Sequence, residues 1–140
     1  MNLLQTHCAC ALLLSSLTLT GAPVISEFMA DNNSAIYDED GDSSDWIELF
    51  NPGPNAVDLG GYFLTSDPAE RTEWEIPAPT VLPSGGSLIV FASSKDRNVG
   101  ELHTNFRLGK DAGGYLALVD PDGQTIVQEY DDYPEQFEDF

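Results

Sequence analysis

Between residues 23 and 130 no run longer than about eight residues escapes a turn signal, so the chain has no room for a long helix and must build from short strands. The pieces between the turns fit that limit. Residues 24–30 alternate apolar and polar, and residues 46–50 set Trp46, Glu48 and Phe50 on one face and Ile47 and Leu49 on the other, until N-P-G-P-N stops the strand. Further strands are expected over 57–59 and 62–65, flanking Gly60 and Gly61, and then over 72–76. Pro77, Pro79 and Pro83 mark the next connection as one without ladder pairing. The run at 88–92 reads as a central strand buried on both faces, and 103–108 as a shorter one. The strands at 115–119 and 125–130 are joined by D-P-D-G, where Pro121 presets φ and Gly123 takes the left-handed position. Eight or nine strands at about twelve-residue spacing in one domain of 140 residues predict an all-β fold, an antiparallel β-sandwich.

The ends differ from this body. Residues 1–22 hold no charged side chain and carry an apolar run, so they read as a signal peptide or leader, too short to span a membrane as an anchor. Both cysteines, Cys8 and Cys10, lie within it, which leaves the mature chain without a disulfide or a thiolate. Residues 131–140 contain five acids and no base, and read as an acidic tail or the start of a truncated continuation. The domain is therefore expected over 23–130.

The net charge of −19 falls wholly on residues 23–140, where the bases are Arg71, Lys95, Arg97, Arg107 and Lys110. Such a surface repels a phosphate backbone, which excludes nucleic acid as a partner. Its general role is solubility, with some acids available to divalent cations.

Six segments in fixed order carry a family resemblance: V-I-S-E-F-M-A at 24–30, D-E-D-G-D-S-S-D-W-I-E-L-F-N at 38–51, V-D-L-G-G-Y-F-L-T at 57–65, L-I-V-F-A-S at 88–93, L-H-T-N-F-R-L at 102–108 and L-V-D-P-D-G at 118–123. The chain resembles a lamin-tail domain of the kind found in exported bacterial proteins. The resemblance implies an immunoglobulin-like sandwich that serves as one module of a larger secreted or cell-surface protein, beside neighbouring domains such as a CotH-like kinase, a nuclease or a carbohydrate-binding region. Relatives of that kind continue past the point that corresponds to Phe140.

Four candidate sites follow from residue chemistry. Asp38, Asp40, Asp42 and Asp45, with Glu39 adjacent, place several hard oxygens where a calcium ion could be bound. Gly41 precedes Asp42 and breaks the register of an EF-hand, and the same Asp and Ser side chains equally suit an ordinary loop that caps its own amides. Glu48 shares a face with Trp46 and Phe50 and is expected to pair with Arg71, Arg107 or a loop amide. His103, the sole histidine outside the leader, is expected at the surface or as a cap. A hydrolase using it with a nearby Asp and Ser has no supporting G-x-S-x-G, H-E-x-x-H or second histidine. Trp74 and Tyr62 read as core residues, and would stack a sugar only if exposed together.

The expected function is therefore a non-catalytic extracellular module for adhesion, binding or structural presentation of a neighbouring domain. It would need no cofactor and would recognise a protein or carbohydrate surface. A calcium-stabilised ligand-binding domain is the first alternative, and a small hydrolase the second.

Overall fold

The computed structural model describes residues 21–138. The leader expectation, with Cys8 and Cys10, lies outside the described residues except for Gly21 and Ala22. Among the described residues no helix is long and apolar enough to cross a membrane.

Among the described residues ten strands follow one another: β1 (Val24–Met29), β2 (Asp45–Phe50), β3 (Val57–Asp58), β4 (Phe63–Thr65), β5 (Trp74–Glu75), β6 (Val81–Leu82), β7 (Ser87–Ala92), β8 (Leu102–His103), β9 (Gly114–Val119) and β10 (Ile126–Tyr133). One sheet has the order β1-β2-β7-β8, a second β10-β9-β4-β5, and β3 pairs with β6 in a small third. The alternation read from the sequence decides which face each strand buries. Ile47, Leu49 and Val90 from the first sheet join Leu64, Leu116 and Leu118 from the second in one cluster, all of them fully buried. Each such side chain contributes about 1.5–3 kcal/mol relative to exposure. The expected all-β, immunoglobulin-like antiparallel β-sandwich is the fold that forms.

Several local expectations change. β8 joins β7 in parallel, with Phe91 opposite His103, so one pair departs from the antiparallel pattern. The strand buried most completely is β9, where residues 115–119 are all buried, whereas Leu88 and Ile89 of β7 remain half-buried. The proline connection does pair: β6 runs antiparallel to β3, because its two residues lie between Pro79 and Pro83 and no proline has to donate. The fully buried Asn51 organises the N-P-G-P-N turn, donating to the carbonyls of Asn55 at 2.8 Å and Leu82 at 3.0 Å while accepting from the Gly53 amide.

The domain also passes the expected boundary at residue 130. A register shift between Asp131 and Tyr133, with Asp132 at a φ of 54°, turns Tyr133 inward. Its ring packs against Phe28, 5.0 Å between centroids, and its hydroxyl donates to the Gly109 carbonyl at 2.8 Å. Residues 131–133 are thus strand, which the acid-rich composition of the segment disguised.

Candidate functional site

The outer face of the first sheet carries a row of three rings. Trp46 on β2 lies opposite Phe91 on β7, and Phe91 stacks on His103 of β8 at 5.3 Å. Two irregular segments meet beside this row, and their sequences explain how they hold together.

The first is the loop between β1 and β2. Asn32 closes its base, donating to the carbonyls of Ile36 at 2.7 Å and Ser44 at 2.8 Å and accepting from the Ala35 amide at 3.0 Å. Asp38 closes its tip: its Oδ1 accepts the amides of Asp40 and Asp42 at 3.0 and 2.9 Å. Gly41, at a φ of 82°, supplies the left-handed residue that this turn requires.

The second segment follows β7. Ser94 and Asp96 both adopt positive φ, 64° and 51°, and wind the chain so that Lys95 and Arg97 project toward the acidic loop. Ser93 Oγ accepts the Lys95 amide at 3.2 Å, and Trp74 Nε1 donates to Asp96 Oδ1 at 3.2 Å, which fixes the turn from both ends.

The ammonium of Lys95 therefore sits where the loop carboxylates converge. Its Nζ lies 2.6 Å from Asp38 Oδ2, 2.7 Å from Asp40 Oδ2 and 2.9 Å from Asp42 Oδ2. Arg97 extends the network to Asp40 at 2.8 Å and Glu39 at 3.3 Å. Burial raises the pKa of Asp38, but the Lys95 ammonium and the amides of Asp42 and Asp40 outweigh it and hold the carboxyl below its ordinary value. Arg97 and then Lys95 take Asp40 down to about 2. For Lys95, burial favours the neutral form, and the three carboxylates reverse that and raise its pKa.

Of the four expected calcium ligands, Asp38, Asp40 and Asp42 bring carboxylate oxygens within 4.8 Å of one another, and Asp45 stands apart from them. Asp45 accepts the Leu108 amide at 3.2 Å, and burial pushes its pKa up to about 6 against the pull of that amide and of Arg107. A divalent ion at the point of convergence would first have to displace Lys95.

Glu48 is half-buried and takes neither arginine as partner. Its Oε1 accepts the Ser26 hydroxyl at 2.5 Å across the β1–β2 pair. His103, expected at the surface or as a cap, is fully buried, because β8 is a parallel strand covered by the Arg97 turn. Its Nδ1 lies 2.8 Å from Ser93 Oγ, and its Nε2 has no partner among the described residues. Burial first, then Lys95 and Arg97, hold its pKa below the ordinary value, against the opposing pull of Asp38 and Glu101. A hydroxyl and an imidazole thus meet, but Ser93 is only 3% exposed and His103 not at all, so a substrate cannot reach them. Trp74 is buried and Tyr62 packs against the core, so they form no sugar platform. Sequence reasoning left Lys95 and Arg97 unassigned. Their signal was a K-x-R pair directly after a strand in a chain with few bases.

A family model described as Lamin Tail Domain matches residues 18–133. The chain belongs to that family. No curated protein and no solved structure matches it at a significant level. Lamin tail domains are non-enzymatic immunoglobulin-like modules of larger proteins. The matched span of this lamin tail domain includes the acidic loop, Lys95 and Arg97, and ends at Tyr133, the last residue of β10.

Proposed function

We propose that this lamin tail domain is a non-catalytic extracellular module that binds a protein surface or presents a neighbouring domain of a larger secreted or surface protein. The observation that carries the reading is the state of its reactive groups: the Ser93–His103 pair is sealed beneath the Arg97 turn, and the loop carboxylates are held by the chain's own Lys95 and Arg97. Lys95 is best read as the loop's own counter-ion, in the place that calcium would otherwise take. An uncharged apolar segment at residues 1–22 supports export. The burial of Trp74 supports a protein rather than a carbohydrate partner.

Fractionation of cells expressing the tagged full chain tests the extracellular part, with the tag expected in the medium or on the surface. Retention in the cytosol with residues 1–22 intact would contradict it. Catalysis is tested with p-nitrophenyl acetate: wild type and Ser93→Ala are expected to give the same background rate, and a loss of rate in the variant would favour the hydrolase.

A further inference from the structure

A groove of about 450 Å³ runs between residues 77–81 and the loop at 98–102. Pro77, Pro79 and Val81 form one wall, Leu88 and Leu102 line it further, and Val99 stands on the other side. None of the lining residues carries a charge, although the chain has 24 acids. Val81 is 61% exposed and Val99 80%, and of the large hydrophobic residues exposed among the described residues only these two line the groove. A side chain set between Val81 and Val99 would take both from water.

Both walls are fixed in advance. Prolines limit the backbone of residues 77–81, and Gly60 lets that segment lie close, since a Cβ there would come within 2.5 Å of Ala78 Cβ. The opposite loop is tied to the acidic loop, with Glu101 accepting the Glu39 amide at 2.6 Å and Arg97 bound to Glu39 and Asp40. A preformed groove loses little entropy when it is filled.

Charge selects the occupant. Asp58 lies beside the proline wall, opposite Val81 in the β3–β6 pair, with its Oδ1 held by the amides of Thr80 at 2.9 Å and Gly60 at 2.8 Å. Those amides keep its carboxyl below the ordinary pKa, so it stays ionised. Arg97, the base nearest the groove in sequence, is already spent on Glu39 and Asp40. A second copy of the chain would bring another net charge of −19 and be repelled. A cationic partner is attracted by the same field.

We propose that this groove docks an extended, positively charged polypeptide segment, which inserts an apolar side chain between Val81 and Val99 and sets a lysine or arginine against Asp58. The proposal rests on the reading of the chain as a protein-binding module and names its partner chemistry.

The test is selection of a random twelve-residue peptide library on the immobilised full chain, followed by titration of synthetic copies of the enriched peptides. Enriched peptides are expected to flank an apolar residue with Lys or Arg, and to bind Val99→Asp at least about ten-fold more weakly than wild type. Asp58→Asn is expected to weaken them about three-fold and to flatten the salt dependence. Val99 is exposed, so an unchanged melting temperature for Val99→Asp shows that the fold is intact. No enrichment, acidic or uncharged consensus peptides, equal binding to Val99→Asp, or self-association of the chain through this face would each overturn the proposal. Cell fractionation does not read the groove, so a failure here leaves the extracellular module standing.

Discussion

Lys95 Nζ lies 2.6 Å from Asp38 Oδ2, and the Asp38 side chain is fully shielded from solvent. This contact clamps the β1–β2 loop to the turn after β7. Asp40 and Asp42 are more exposed and add little by themselves, since water and salt screen such pairs. Lys95→Met leaves a buried carboxylate without its cation. Breaking a fully buried pair costs about 3–5 kcal/mol, and the partial exposure of Lys95 reduces the expected loss to about 2 kcal/mol. Urea denaturation checks this, and Asp38→Asn combined with Lys95→Met is expected to recover part of the loss.

Asp45 makes an opposite prediction. Its folded pKa of about 6 lies above the ordinary 3.8, so the charged form costs the fold stability at neutral pH, and that cost is relieved as pH falls from above 6 toward 4. Asp45→Asn keeps an acceptor for the Leu108 amide and removes the charge. It is expected to stabilise the domain by about 1–2 kcal/mol at pH 7.5 and to show no difference from wild type near pH 4. Thermal melts of the two proteins across that range check the sign.

His103 is expected to take its proton at a lower pH than a free imidazole does, because burial and two nearby cations oppose protonation. In an NMR titration its ring signals should have a midpoint below that of a free imidazole. A midpoint at or above 6.5 would show that the ring reaches solvent.

Tyr133 anchors the end of β10 inside the core, and Gly114 makes room for it, since a Cβ there would come within 2.1 Å of the ring. Tyr133→Ala should cost about 3 kcal/mol, near the low end for a buried aromatic. Gly114→Ala should cost about 2 kcal/mol through forced displacement of the ring. A loss under 0.5 kcal/mol for both would place the end of the domain back at residue 130.

The sandwich was legible because the period-two pattern of Ile47 and Leu49, and the short apolar runs at 88–92 and 115–119 bounded by turn residues, need only local sequence to be read. D-P-D-G gave its turn for the same reason, with Gly123 at a φ of 70°. What stayed hidden depended on distant partners. Lys95 meets Asp38 from 57 residues away, and nothing local in S-S-K-D-R says which acid it will face. The burial of His103, expected at the surface or as a cap, stayed hidden because a two-residue parallel strand has no sequence period. Tyr133 was masked by the acids on either side of it. The three clustered aspartates were legible as a group, and the cation that holds them was not.

The most direct test of the account is isothermal titration of the full chain with calcium, alongside its melting temperature. With the Lys95 ammonium occupying the point where Asp38, Asp40 and Asp42 converge, no saturable heat is expected at millimolar calcium, and the melting temperature should not change. Lys95→Met, which releases the three carboxylates, should gain measurable calcium affinity. Saturable binding by the wild-type chain with a rise in melting temperature would contradict the account and make the loop a metal site.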